Sequence, residues 1–327
     1  MLKIVEKSSV ISEAQVQFES NFKKITDSDI PVTIGYPGGN FGGKASWMGR
    51  LGIWLYSFGR KGRHINLFGI GKPAENAMIP ITCEINFPRN GINRRVGGAF
   101  AVDDAGEIVV IHRGKIGGGR KGIGKILFEN NYRGALADTM DGTFECSTAL
   151  IGTLKSTRFP KQVQQFVFEV ERIKKLRKTA AVDEEKKDRE GFTEEFAGKK
   201  KYTTGSMVEA ACDHGLIVNA LASTLQESGH DVRNDRNRDL FIIGKDDVIS
   251  TIFEIKTSVN TTDLYSAIGQ LLLNSIHITI QPRLILIIPE RLSSLRIDKL
   301  LKLGIDVLPF KWKGNDPIFP SLSSFKF

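Results

Sequence analysis

The sequence predicts two domains of different class: a mainly β, Gly-rich N-terminal domain over residues 1–170 and an α/β C-terminal domain over residues 206–327, with a mixed sheet flanked by helices. Three observations carry this. Short apolar runs between glycine-rich punctuation fill Ile30 to Ile111, the pattern of strands joined by turns. Between residues 171 and 205, dense mixed charge replaces large apolar residues, as in Asp183 to Glu190 and Lys199-Lys200-Lys201, which reads as an exposed helix running into a linker. Beyond Gly205 the pattern becomes helix, three strands, helix, strand, helix, strand.

The 327 residues suffice for two domains with cores of their own. A formal net charge of +9 favours a polyanionic partner, nucleic acid before membrane, because no basic amphipathic anchor stands out. Cys83, Cys146 and Cys212 are far apart and odd in number, so they form no CxxC pair and no disulfide framework. This fits a reducing cytoplasm, and no run approaches a membrane span.

In the N-terminal half, Val10, Ile11, Ala14, Phe18 and Phe22 recur at helical spacing. Ile53 to Phe58, Ile79 to Phe87, Gly98 to Val102 and Glu107 to His112 read as strands, with Asp103 to Gly106 as a hairpin turn between the last two. His112 to Lys125 places Arg113, Lys115, Arg120, Lys121 and Lys125 among glycines, after a strand and before a helical turn at Ile126 to Asn131. Glycines let backbone N–H groups approach phosphate, and the cations supply charge. Gly119 to Lys125 matches GxxxxGK, but Ile126 stands where a Walker A loop needs Ser or Thr, which argues against an NTPase. Arg94 and Arg95 mark a second basic turn and Arg60 to His64 a third, so the domain reads as a DNA-recognition module. Trp47, Trp54 and Tyr56 sit at strand spacing, which more often means core than base stacking.

In the C-terminal half, Met207 to Leu225 reads as a helix, followed by strands at Asp231-Val232, Arg238 to Ile243 and Val248 to Lys256. Ser258 to Thr262 caps a helix carrying Gln270, Arg283 to Ile288 is a strand covered on both faces, and Ser293 to Leu303 is a helix ended by Gly304 before a strand at Ile305 to Phe310. Pairing Ile243 with Val248 sets Asp239 opposite Ile252, with Glu254 one diagonal step away on the same face and Lys256 two beyond it. Charges next to a core are normally paired or bind a metal. Two such carboxylates suit a hard cation such as Mg²⁺, and a lysine beside it suits metal-assisted phosphodiester hydrolysis.

Asp239, fourteen residues, Glu254-Ile255-Lys256 and then Gln270 on the following helix resembles the PD-(D/E)xK nuclease superfamily, with its restriction-endonuclease-like fold. Arg238 stands where that motif's often-replaced proline would be, and the resemblance covers Gly205 to Trp312 only. It implies a Mg²⁺-dependent endonuclease, Mn²⁺ being a substitute, that cuts double-stranded DNA in restriction of foreign DNA. It implies that Asp239, Glu254 and the Ile255 carbonyl hold the metal, that Lys256 orients or activates the attacking water, and that Gln270 holds Lys256 or the water. Superfamily members commonly carry a carboxylate on the first helix. Glu209, Asp213 and His214 are the candidates here; Asp213 and His214 lie nearer the hairpin, but spacing does not choose among the three. A homodimer and a cognate methyltransferase are further implied partners. An RNA nuclease and a non-catalytic DNA-binding protein are the rivals, and the intact Asp239, Glu254 and Lys256 oppose the second.

Overall fold

A computed structural model describes residues 1–36, 38–117, 123–179, 205–235, 237–276, 278–289, 292–325 and 327. They divide into two compact units, the first comprising residues 1–179 with 205–212 and the second residues 213–327. No helix among them is long and apolar enough to cross a membrane.

The first unit runs β1 (Leu2–Ile4), α1 (Ser8–Lys23), β2 (Ser28–Tyr36), β3 (Gly39–Met48), β4 (Ile53–Arg60), β5 (Arg63–Ile70), β6 (Met78–Pro80), β7 (Cys83–Glu84), β8 (Phe87–Pro88), β9 (Gly98–Val102), β10 (Ile108–His112), α2 (Lys125–Asn131), β11 (Leu136–Asp141), β12 (Phe144–Thr153) and α3 (Phe159–Thr179). β6-β2-β3-β4-β5-β7 form one sheet, with β8 also on β5, while β1-β11-β12-β10-β9 close into a barrel. α1 buries the Ile11, Ala14, Phe18 and Phe22 stripe that its spacing predicts. Phe18 meets Phe22, Phe68, Phe87 and Phe159 at centroid distances of 5.2, 6.3, 5.4 and 5.6 Å, so α1, α3 and the sheet share one aromatic core. In the turn between β9 and β10, Asp103 Oδ1 accepts from the N–H of Ala105 and of Glu107, and Gly106 supplies a φ of +82°.

Two expectations change here. Gly39 to Gly43 reads as loop punctuation but is the start of β3, paired along its length with β2. At Gly43 a ring from the neighbouring strand takes the place of a side chain: a Cβ there would lie 2.6 Å from the Tyr56 ring. The boundary expected at 170/171 falls inside α3, whose Ile173 is fully buried in the first core, so the helix belongs to this unit. Residues 180–204, most of the expected linker, lie outside the described residues.

α4 (Gly205–Glu227) follows; Val208, Ala211 and Cys212 are buried with Leu2, Ala99, Ala101 and Ile111 of the barrel. The second unit takes the rest of α4 and continues with β13 (Asp231–Arg233), β14 (Leu240–Ile243), β15 (Ile249–Ile255), α5 (Thr261–Ser275), β16 (Arg283–Ile288), α6 (Ser294–Lys302), β17 (Ile305–Pro309) and a short hairpin, β18 (Lys311–Lys313) with β19 (Asp316–Ile318). The sheet order is β13-β14-β15-β16-β17, antiparallel from β13 to β15 and parallel from β15 to β17. One face packs Leu240, Ile242, Phe253 and Ile255 against Ile217, Val218 and Leu221 of α4. The other packs Phe241, Ile252, Leu284 and Leu286 against Leu264, Ala267 and Leu271 of α5 and Leu300 of α6. Both faces of the central strands are therefore covered, as the continuous apolar run of β16 requires.

Candidate active site and candidate nucleic-acid surface

The site is built on β14 and β15. Lys245–Asp247 form a single 3-10 turn closed by Gly244 N–H donating to Val248 O, with Asp247 at a φ of +57°. A bulge follows between Ile242 and Ile243, after which Phe241 pairs with Ile252 and Leu240 with Phe253. Continued one step, this register sets Asp239 opposite Glu254, two positions from the Ile252 that a tight turn predicts. The correction is even, so each side chain keeps its face. Asp239 is locked to the facing strand, its Oδ2 accepting from Ile255 N–H at 2.8 Å. The established contribution of Ile255 is this amide.

Glu254 is only 2% exposed. Its Oε1 accepts from Lys256 Nζ at 2.6 Å, and the same ammonium donates to Gln270 Oε1 at 2.8 Å. Ser266 Oγ, one turn earlier on α5, donates to Gln270 Oε1 at 3.0 Å. α5 is anchored at its start by Asn260, whose side chain accepts from Asp263 N–H at 2.8 Å. Lys256 is thus held between a carboxylate on its own strand and an amide on the covering helix.

The two carboxylates titrate in opposite directions. Burial pushes Glu254 up to about 7, the charge of Asp239 adds to this, and Lys256 opposes it. Burial alone would raise Asp239 as well, but His214, the Ile255 N–H and Lys256 outweigh it and hold the carboxyl below its usual range. The pair carries one firm negative charge and one reluctant one. The oxygens present suit a hard divalent cation: Glu254 Oε2 accepts no hydrogen bond from a described residue, and a dication would offset both the burial and the Asp239 charge that raise Glu254. Among the described residues no three His, Cys, Asp or Glu side chains gather as a ligand cluster.

Of the residues on α4, His214 Nε2 stands 3.4 Å from Asp239 Oδ1. Asp213 is buried one position earlier. Glu209 groups with the first unit, where its Oε1 accepts from Arg158 Nη2 and Ser156 Oγ, each at 2.8 Å. Sequence spacing alone could not choose among the three, because the choice depends on how the helix is rotated against its sheet.

The basic residues of the first unit do not share one role. Arg113 is a correction: it is buried, not a phosphate contact. Its Nε and Nη2 donate to Asp141 Oδ2 and Oδ1 at 2.9 and 3.2 Å, and its Nη1 donates to the carbonyls of Val96 and Gly98. Asp141 is 3% exposed, so the pair is internal and its charge is already spent. Arg94 donates to the Asp141 carbonyl at 2.5 Å and lies 4.8 Å from the Phe144 ring centroid, but keeps half its side chain in solvent. Lys115, Lys125 and Arg95 are exposed. Lys115 and Lys125 line two hollows of about 370 and 450 Å³, with Arg94 at the first and Arg95 at the second. Arg120 and Lys121 lie outside the described residues. Trp54 is core at 2% exposure. Arg63 and Lys174, also at the larger hollow, were not singled out from sequence, and the only signal for Arg63 was its place in the basic turn Arg60 to His64.

No protein-family model, no curated protein and no solved structure matches this chain.

Proposed function

We propose that the chain is a Mg²⁺-dependent endodeoxyribonuclease, its second unit cutting and its first binding the DNA. The observation that carries this reading is the pairing of Asp239 and Glu254 across β14 and β15, with Lys256 fixed between Glu254 and Gln270. A buried carboxylate beside a second carboxylate costs stability, and it is accounted for if the pair serves a cation. In this reading Asp239 and Glu254 hold the metal, with the Ile255 carbonyl as a third oxygen. When bound, Mg²⁺ supplies charge neutralisation at the scissile phosphate and a more acidic attacking water.

The chain's own groups do the rest. Lys256 has three ammonium hydrogens, of which Glu254 and Gln270 take two, leaving one to orient the water and steady its charge. Gln270, itself held by Ser266, keeps that hydrogen aimed. His214 fixes Asp239 from the α4 side. The reading includes a cytoplasmic setting in restriction of foreign DNA, paired with a methyltransferase. It also includes a second copy of the chain, because one site cuts one strand.

Purified protein is assayed on DNA and on RNA with Mg²⁺, with Mn²⁺ and with EDTA. The expected result is metal-dependent DNA cleavage that Asp239→Asn and Glu254→Gln each abolish. Cleavage of RNA alone makes it a ribonuclease. Binding without cleavage in any metal makes it a DNA-binding protein. Wild-type cleavage by either variant removes that residue from the metal site.

A further inference from the structure

The larger hollow of the first unit, about 450 Å³, is lined almost entirely by one sign of charge. Arg63, Arg95, Lys115, Lys125 and Lys174 reach it, against the carboxylate of Glu84. Three of these cations have partners within the protein: Lys115 donates to the Arg94 carbonyl, Lys125 pairs with Glu129 at 3.2 Å, and Lys174 donates to the Thr82 carbonyl at 2.6 Å. The side chains of Arg63 and Arg95 make no hydrogen bond or ion pair with a described residue. Two guanidinium forks therefore reach the cavity with no carboxylate of a described residue paired to either, Glu84 included, and a phosphate matches their geometry.

One aromatic ring reaches the same hollow, and others stand in a row behind it. Tyr36 lines it and is 39% exposed. Its ring begins a row that continues to Phe41 at 6.0 Å, Tyr56 at 5.7 Å and Phe58 at 5.3 Å from ring to ring. All three of the latter are half-buried, so their rings are not sealed into a core. Cations that take up phosphate, next to aromatic rings that take up bases, are the two features by which proteins hold nucleotides free of a helix. A hollow of this size has room for one nucleotide, base and phosphate together, and a base can reach it once released from its stack.

We propose that this hollow binds an unstacked DNA nucleotide, its phosphate on Arg63 and Arg95 and its base against Tyr36. The nucleotide comes from a single strand or is extruded from a duplex; the chemistry recognised is the same. The inference rests on the DNA-directed reading above and specifies which part of DNA the first unit holds.

The test uses the full chain in EDTA, so cleavage plays no part in it. Fluorescence anisotropy at fixed ionic strength compares a labelled single strand, the perfect duplex of that sequence, and the same duplex with one unpaired central nucleotide. The single strand, the bulged duplex or both should bind roughly ten-fold tighter than the perfect duplex, the scale of one base–aromatic stack. Preference for the single strand alone identifies a strand as the source, and preference for the bulged duplex identifies extrusion. Tyr36→Ala should remove the preference at unchanged salt dependence, and Arg63→Gln with Arg95→Gln should weaken the favoured ligand and flatten its salt dependence. Tyr36 is exposed, so its variant remains decisive if the double variant fails to fold. Equal affinity for all three ligands, no affinity for any, or a preference unmoved by the Tyr36 variant would overturn the proposal. Cleavage in Mg²⁺, measured separately, shows whether the nuclease reading stands in each case.

Discussion

Glu254 makes the stability of the metal-free chain depend on pH in a direction opposite to that of most carboxylates. Its folded value of about 7 lies above the ordinary 4.5, so between the two the folded chain keeps a proton that the unfolded chain has released. Unfolding therefore gives up a proton, and stability falls as pH rises through that window. Asp239 has the opposite sign: its depressed carboxyl contributes stability above the ordinary carboxylate range that is lost only as pH falls below it. Glu254→Gln should accordingly melt higher than wild type at pH 8 in EDTA, the gap closing toward pH 5; a constant gap in calorimetry would remove the effect from Glu254. Lys256→Arg tests the ammonium itself. A guanidinium keeps the charge but is larger, planar and unable to release a proton readily, so single-turnover cleavage should fall by roughly two orders of magnitude while DNA binding is retained. Arg113 makes the opposite point, that a cation in a basic run can be wholly structural. Asp141→Ala leaves its guanidinium buried and unpaired, which should cost about 3–5 kcal/mol in denaturant unfolding.

At the scale of elements, helix α5 matters because it carries Gln270 to Lys256. Asn260→Ala removes its cap and should cost about 1 kcal/mol, with a matching loss in urea midpoint and intact spectroscopic helicity elsewhere. α4, α5, α6 and β16 were legible in the sequence because each has a clear period or an unbroken apolar run, with Asn260 opening α5 and Gly229 and Gly304 following α4 and α6. β3 was not, since its glycines carry no strand signal of their own, and the contact of Gly43 with the Tyr56 ring from β4 is one no local pattern contains. The pairing of β14 with β15 was legible in part. The 3-10 turn and the bulge each shift it by one residue, which sequence does not reveal, yet the two shifts together preserve the face on which Asp239, Glu254 and Lys256 meet. A single shift would have separated Asp239 from both. Gln270 entered through the resemblance, as holding either Lys256 or the water, and not through spacing, whereas the burial of Arg113 depends on Asp141, far along the chain and on another strand.

On the scale of the whole molecule, the first unit reaches beyond the 170 residues that composition suggests. Ile173 on α3 and Val208 on α4 are both fully buried in its cores. A fragment ending at residue 170 should therefore melt without cooperativity, and one ending at 212 should show a single sharp transition by circular dichroism. The barrel also has a history written into its order. β1 lies between β9 and β11, with Leu2 across from Thr139 and Ile4 across from Ala101. On the ribosome β1 emerges long before either partner, and at the usual pace of synthesis roughly 7–30 s pass before β11 is made. Until β9 appears Leu2 and Ile4 have nowhere to be buried, and until β11 appears the other edge of β1 stays open. Closure must then join Leu2 on β1 to Thr139 on β11 in one non-local step, a slow kind of contact to form. The nascent chain is thus most exposed to aggregation before residue 141 has left the exit tunnel, and a chaperone that shields the first strand would act there.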